Sequence, residues 1–115
     1  MFDFQNLHVY RKSKIAVNEL HGLISNNNFK RTLNDQLGRA STSVLLNIAE
    51  GNSRFTKKDK RWFLVISRGS VFECVAVLDI MFSQKLISRP VFELHMNRLE
   101  EISRMLYAMI RKLEQ

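Results

Sequence analysis

The sequence contains one cysteine, one proline and four glycines among its 115 residues. A single cysteine, Cys74, excludes an internal disulfide and a zinc site built from cysteines. So little proline and glycine leaves few of the turns that an all-β chain needs about every 8–12 residues. No stretch approaches the roughly 18–20 apolar residues of a membrane span, and the first residues lack the basic and apolar segments of a signal peptide. These absences predict a mostly helical protein in the cytoplasm, without a membrane partner.

Apolar residues recur at the spacing of an α-helix in four segments. The pattern predicts helices over about 7–24, 30–52, 57–84 and 89–113. We expect Asn6 to cap the first helix and Ser88 to cap the fourth, while Thr56 and Asp59 form a capping box at the start of the third. Because short connections join antiparallel neighbours, residues 1–115 are predicted to form a single all-α domain, an antiparallel up-down-up-down four-helix bundle.

The third predicted helix is apolar on more than one face. Its apolar residues fall in nearly continuous runs over 62–66, 71–78 and 80–82. A helix that is apolar all round is buried on more than one side, yet each helix of a small bundle keeps a solvent side. We therefore expect a homo-oligomer, with Phe72 facing a neighbouring copy. Scattered exposed apolar residues are the alternative.

Charge is unevenly divided along the predicted bundle. The net charge is +7, from 18 basic and 11 acidic residues. Antiparallel packing brings the first residues of helices one and three to the same end as the last residues of helices two and four. This end collects ten basic and four acidic side chains, which is +6 of the net +7. The acidic ones are Asp3, Glu50, Asp59 and Glu114, and the basic ones are Arg11, Lys12, Lys14, Arg54, Lys57, Lys58, Lys60, Arg61, Arg111 and Lys112.

Such a concentration of positive charge is typical of a nucleic-acid interface, because each neutralised phosphate releases counterions. Phe55 and Trp62 flank the cluster and could stack on unpaired bases, although packing in the core is the favoured interpretation. The alternatives for the charge are a solvated basic surface and a scaffold that docks an acidic protein. The residues that we expect to contact RNA or DNA phosphates, with weak sequence specificity, are Arg11, Lys12, Arg54, Lys57, Lys58, Lys60 and Arg61.

Polar residues also lie on the inner sides of the second and third predicted helices. Antiparallel pairing about a turn near residue 54 or 55 places Arg39 near Glu73, so a buried ion pair within a structural network is expected. A catalytic carboxylate is the other interpretation. The same pairing sets Gly38 opposite Gly69, which suggests a close approach of the two helices. The members of the network are Arg39, Ser43, Asn47, Glu50, Ser70 and Glu73.

No arrangement of residues indicates catalysis. His8, His21 and His95 stand alone, and no Glu-x-x-His pair of the kind used by di-metal bundles is present. The sequence contains neither a glycine-rich phosphate loop nor a nucleophile elbow. Cys74 is expected to be an inert core thiol. We expect a protein that is not an enzyme and needs no metal or cofactor, and an enzyme using Glu50 or Glu73 is the alternative.

The central segment, Gln36-Leu37-Gly38-Arg39-Ala40-Ser41-Thr42-Ser43-Val44-Leu45-Leu46-Asn47-Ile48-Ala49-Glu50-Gly51, resembles the signature of the four-helix-bundle family of 23S rRNA intervening-sequence proteins. The segments that follow, Arg54-Phe55-Thr56-Lys57-Lys58 and Arg68-Gly69-Ser70-Val71-Phe72-Glu73, are also similar to it. The early residues 4–10 match the usual opening of the family. Position 38, commonly basic in the motif, is Gly here.

The resemblance implies a small, non-enzymatic bacterial protein. Some members of the family are encoded inside sequences that interrupt 23S rRNA genes. Others are the accessory variability proteins of diversity-generating retroelements, which look like basic homopentamers that bind nucleic acid and a reverse transcriptase. By this resemblance the expected partners are four further copies of the chain, a nucleic acid and, in the second context, a reverse transcriptase.

Overall fold

The structure, a computed structural model, describes residues 2–115. Four long helices account for most of this range, and none of the described residues lies in a strand. The all-α class predicted from the sequence is therefore confirmed, and each helix end lies within one residue of its predicted position. After a short 3-10 turn at Asp3–Asn6, the helices are α1 (His8–Ser25), α2 (Arg31–Ser53), α3 (Lys57–Ser83) and α4 (Arg89–Leu113).

The helices pack as a square in which each touches its two neighbours. Contacts join α1 with α2, α2 with α3, α3 with α4 and α4 with α1, whereas the diagonal pairs do not pack within residues 2–115. The bundle is 44 Å long and 26 by 21 Å across. Hydrogen bonds join α2 to α3 both between Ser43 and Ser70 and between Asn52 and Lys60. Residue numbers therefore increase along α2 in the direction in which they decrease along α3. This ordering is antiparallel, as the short connections predicted.

Aliphatic side chains from all four helices fill the core. Cys74 lies among them with no exposed surface, and burial raises the pKa of its thiol to about 12. Because the thiolate is the reactive form, Cys74 is inert at neutral pH, as its apolar surroundings in the sequence indicated. The largest fully buried residues are Leu20, Leu37, Ile48, Leu78, Met81, Leu99, Ile102 and Leu106.

Two of the three predicted helix caps are confirmed. The hydroxyl of Thr56 accepts a hydrogen bond from the Asp59 N–H at 3.1 Å, and that of Ser88 accepts one from the Val91 N–H at 3.3 Å. The prediction for Asn6 was wrong, because the 3-10 turn moves the start of α1 to His8 and leaves Leu7 at the cap position.

The turn between α3 and α4 closes without glycine. The N–H of Leu86 bonds to the carbonyl of Met81 at 2.9 Å, and the N–H of Lys85 bonds to that of Phe82 at 3.0 Å. This is the Schellman arrangement, which places the residue after the C-cap in the left-handed region, and Lys85 has a φ of 62°. Sequence reasoning missed the motif because glycine is the residue that usually marks it.

The close approach of α2 to α3 occurs at Gly51, and not at the predicted level of Gly38 and Gly69. A Cβ added at Gly51 would lie 3.1 Å from the Cβ of Phe63 and 3.3 Å from the carbonyl oxygen of Lys60. A Cβ on Gly69 would meet nothing within 4 Å, and one on Gly38 would meet only Ile24 of α1, at 3.8 Å. The two helices therefore converge toward their connection, where a side chain at position 51 would separate them.

His95 is the buried histidine of the three. Its side chain is 5% exposed, and its Nδ1 has no hydrogen-bond partner among residues 2–115. Burial lowers the pKa of His95, the carboxylate of Glu19 opposes this shift, and the charge of Arg98 adds to it. The folded bundle therefore favours the neutral form of the His95 imidazole.

We expect the bundle to lose stability as the pH falls below 6.5, the ordinary pKa of histidine. Below that pH the unfolded chain binds a proton that the folded chain resists, and the loss continues until the pH reaches the lowered pKa of the folded state. Thermal melts between about pH 8 and pH 5 should show a shallower decline of Tm for His95→Gln than for the wild type. His8→Gln is the control, because His8 is exposed. If His8→Gln reduced the pH dependence of Tm as much as His95→Gln, the loss of stability could not be assigned to His95.

Candidate nucleic-acid interface

The first residues of α1 and α3 and the last residues of α2 and α4 meet at one end of the bundle, which we call the basic end. There the ammonium of Lys57 donates to a main-chain oxygen of Gln115 at 3.0 Å, and that of Lys60 donates to the carbonyl of Asn52 at 3.1 Å. A cavity of about 310 Å³ opens between the four helix ends. The fold therefore places the basic residues at the start of α3 at this end, whereas Lys12 of α1 lies beside Glu101, near the middle of α4.

Side-chain contacts restrain both ends of the connection between α2 and α3, residues 54–56. The guanidinium of Arg54 lies over the ring of Phe63, 4.6 Å from its centroid, and also pairs with Glu50 at 3.3 Å. Two residues later, Thr56 caps α3 through its side chain. Phe55 is the residue between these two anchors, and its side chain is fully exposed.

The seven predicted phosphate contacts differ in how much of their charge is already compensated. Arg54, Arg61 and Lys12 each pair with a carboxylate, that of Glu50, Glu114 and Glu101 respectively. The four cations without a carboxylate partner within residues 2–115 are Arg11, Lys57, Lys58 and Lys60. Three of the four lie on the first turn of α3, where Lys57 and Lys60 donate to main-chain oxygens but form no ion pair with a carboxylate side chain.

Lys12 illustrates a compensated site. Its ammonium lies 2.8 Å from a carboxylate oxygen of Glu101 on α4. This hydrogen bond holds the pKa of the Glu101 carboxyl below its ordinary value. Binding a phosphate at Lys12 would require breaking or sharing this pair, so we expect Lys12 to contribute less than Lys57 or Lys58.

The two aromatic residues of the basic end are not in the core. Phe55 is 100% exposed and Trp62 is 63% exposed, so the interpretation that they pack in the core was wrong. The reason is geometric, since Phe55 stands in the connection beyond the helices and Trp62 lies on the outer face of α3. Both rings are accessible beside the cations of the first turn of α3.

The predicted polar network forms only in part. Ser43 and Ser70 join α2 to α3 with their hydroxyl oxygens 2.7 Å apart, and the side-chain amide of Asn47 donates to Ser43. The predicted ion pair of Arg39 and Glu73 was wrong, because both side chains are exposed and no ion pair joins them in the part of the chain that the structure describes. In water such a pair gains little.

Glu50 also lies outside the network. It is exposed and bonds to Arg54 and to the hydroxyl of Ser53 instead. A buried serine that sequence reasoning missed, Ser67, takes part in the contact between the helices and donates to the carbonyl of Val44 at 2.8 Å. The α2–α3 interface is therefore joined by small hydroxyls, which allow the helices to approach closely while each donor keeps an acceptor.

His21 makes contacts that sequence reasoning also missed. Its Nε2 lies 3.0 Å from the hydroxyl oxygen of Ser41 and 3.2 Å from that of Thr42. A serine beside a histidine can form a nucleophile and base, but Ser41 has no exposed surface and its hydroxyl bonds to the carbonyl of Gly38. The arrangement links α1 to α2 and offers no access to a substrate.

One face of α3 carries exposed apolar and small residues along most of its length. They follow steps of 4, 3, 4 and 4, and this set, which we call the α3 stripe, consists of Val65, Gly69, Phe72, Ala76 and Ile80. Phe72 is 56% exposed and faces outward, as the oligomer interpretation requires.

A groove of about 450 Å³ runs between the α3 stripe and α4. The guanidinium of Arg68 lies in it over the rings of Phe72 and Tyr107, 4.8 and 5.2 Å from their centroids. Tyr107 of α4 is 49% exposed and extends the apolar surface of the stripe. Contiguous exposed apolar surface of this kind typically marks an interface with another chain.

Residues 2–115 hold neither a cluster of metal ligands nor a helix suited to cross a membrane. No three side chains of His, Cys, Asp or Glu come together there in a way that could hold a metal ion. None of the four helices combines the length and the apolar character needed to cross a membrane.

Comparisons with known proteins bear on the family and the fold of the chain. The model of a family described as 23S rRNA-intervening sequence protein matches residues 5–108. No curated protein matches the chain. The fold is similar to the 1.70 Å crystal structure of a protein with unknown function from the S23 ribosomal protein family of Bacteroides thetaiotaomicron VPI-5482. The TM-score is 0.85 at 24% sequence identity, over 89% of this chain and 97% of the other, which shows a shared fold.

Proposed function

The chain belongs to the 23S rRNA-intervening sequence protein family, and from this premise we propose that it is a non-catalytic cytoplasmic protein that oligomerises and binds nucleic acid through its basic end. The observation that carries the proposal is the set of cations without carboxylate partners on the first turn of α3, Lys57, Lys58 and Lys60. Arg11 at the start of α1 adds a fourth charge to the same end.

Phosphates are the ligands that such a surface favours. Each phosphate that a lysine or arginine neutralises releases condensed counterions, and this entropy gain is independent of base sequence. The proposed binding is therefore tolerant of sequence and sensitive to salt. Arg54 and Arg61 lie beside the first turn of α3 and are the partly compensated members of the same surface.

We also propose that the α3 stripe forms the contact between copies of the chain. The exposed Phe72 and Tyr107 support this interface, and the family resemblance implies five copies. An oligomer repeats the basic end on every subunit. A modest affinity at one subunit then becomes a much higher one when several ends contact the same strand.

The partner protein depends on the biological context. The resemblance to accessory variability proteins supports a reverse transcriptase as that partner, whereas the resemblance to proteins encoded within rRNA genes does not require one. The genes next to this one distinguish the two contexts, because a retroelement carries a reverse transcriptase and a repeat pair.

The wild-type protein should bind an RNA or DNA oligonucleotide with an affinity that falls steeply with salt. Four cations without carboxylate partners predict a slope of about −3 in a plot of log K against log salt for each subunit engaged. Fluorescence anisotropy between about 50 and 300 mM salt measures this slope. An acidic polypeptide such as polyglutamate is the competitor that tests the scaffold alternative. Tight binding of polyglutamate together with weak binding of nucleic acid would contradict the proposal.

A further inference from the structure

The side chain of Phe55 is fully exposed, although nothing in the α2–α3 connection requires an apolar residue at this position. It is the one large apolar side chain of residues 2–115 whose surface is fully exposed, and it is the middle residue of the three that connect α2 to α3. A polar residue at position 55 could adopt the same backbone conformation. The exposed ring is therefore available to a ligand at the basic end.

The backbone that carries the ring is restrained. Arg54 before it is held by the ring of Phe63 and the carboxylate of Glu50, and Thr56 after it is held by the cap of α3. A ring presented from a restrained backbone loses less conformational freedom on binding than one in a mobile loop. Phe55 is thus a preorganised flat surface.

The charges around Phe55 select the chemistry of what covers it. Lys57 and Lys58 come two and three residues after it and have no side-chain carboxylate partner in the part of the chain that the structure describes. The exposed Trp62 lies one turn beyond Lys58 on the same face of α3. A ligand that is flat and apolar on its faces and anionic along its backbone matches both features, and a single strand of nucleic acid has this chemistry.

We propose that Phe55 stacks on an unpaired base and that the basic end prefers single-stranded nucleic acid to duplex. This inference rests on the proposed function, because the cations must first bring the strand to the ring. In a duplex the bases are already stacked on each other, so only its phosphates can reach this surface. Stacking depends on the flat face that every base has, so the preference applies to RNA and DNA alike.

The test compares Phe55→Ala, Phe55→Leu and Phe55→Trp with the wild type. The probes are oligo(U), oligo(dT) and RNA and DNA duplexes of equal length, at fixed salt. Loss of one stacked base should weaken binding of both single strands by about 5-fold or more in Phe55→Ala and Phe55→Leu, and Phe55→Trp should retain it. Duplex affinity should change by less than about 2-fold, and the salt slope should stay the same because no charge is removed.

Each other outcome overturns the proposal. Wild-type affinity in Phe55→Leu would show an apolar contact without stacking, and an equal loss for single strands and duplex would show a general effect on the basic end. A lower mass of Phe55→Ala in light scattering would assign the ring to a second copy of the chain. A loss with oligo(U) alone would show a site specific for RNA. Failure of the proposed function looks different, because the wild type would then bind none of the four probes.

Discussion

Replacing Lys57, Lys58, Lys60 and Arg61 together with alanine should weaken nucleic-acid binding on the order of 100-fold or more at about 100 mM salt. The three lysines carry the charge without carboxylate partners on α3, and Arg61 shares its charge with Glu114. The slope of log K against log salt should become shallower by about 2–2.7, because three cations are removed at about 0.7–0.9 each, while Arg61 contributes little and Arg11 remains. Anisotropy titrations at several salt concentrations measure both quantities.

The fold should survive this change, because the bonds of Lys57 and Arg61 are exposed, where single pairs contribute about 0–1 kcal/mol, and only the bond of Lys60 to Asn52 is partly buried. The matched control replaces four cations at the opposite end of the bundle, which removes the same charge from the chain. These are Lys30, Arg31, Lys85 and Arg89. If this control abolishes binding and the first variant does not, the opposite end is the interface. If neither variant alters binding at low salt, the cations do not bind phosphate and the acidic-protein scaffold is favoured.

Phe72→Glu should separate the oligomer into single chains of 13.5 kDa. In an assembly that buries the α3 stripe, a carboxylate at this position would lose its water in an apolar contact, and pairing with Arg68 would offset only part of a cost of several kcal/mol. The wild type should have a multiple of that mass in light scattering, five-fold for a pentamer. Because Phe72 is 56% exposed in the single chain, the variant should keep its helical fold within about 0.5 kcal/mol.

Leu94→Glu provides the comparison for this result. Leu94 is 47% exposed on α4 and lies outside the α3 stripe, so its replacement should leave the mass unchanged. Loss of the oligomer in Leu94→Glu to the same extent would place the interface elsewhere. A wild-type mass of 13.5 kDa at micromolar concentration would remove the oligomer proposal, and the exposed α3 stripe would then have no partner copy.

Helical periodicity was enough to predict the fold. Long stripes such as Leu33, Leu37 and Val44 on α2 repeat at a spacing that only an α-helix places on one face. Short connections then allowed one simple arrangement of four helices. The start of α1 lies one residue later than predicted, because a 3-10 turn precedes it and Leu7 at the cap position offers no side-chain hydrogen bond.

The site was less predictable, because its properties depend on which way side chains point. Arg39 lies at the level of Glu73, yet both are on outer faces, and the pattern of a helix with several apolar sides did not distinguish inner from outer positions. The exposure of Phe55 depends on a connection that lies beyond the bundle, and apolar character alone suggested the core. Compensation of Lys12 by Glu101 and of Arg61 by Glu114 joins residues far apart in sequence, which counting charges cannot show.

The placement of the charge at one end gives the protomer a large electric dipole along the 44 Å axis of the bundle. A dipole in the field of a polyanion experiences a torque, so in the proposed binding the molecule would turn its basic end toward the strand while solvent still separates the two. Dissolved ions shorten the range of this torque to about 10 Å at 0.1 M salt. Orientation during diffusion, and with it the rate of productive encounter, is therefore a property of the antiparallel fold before any contact is made.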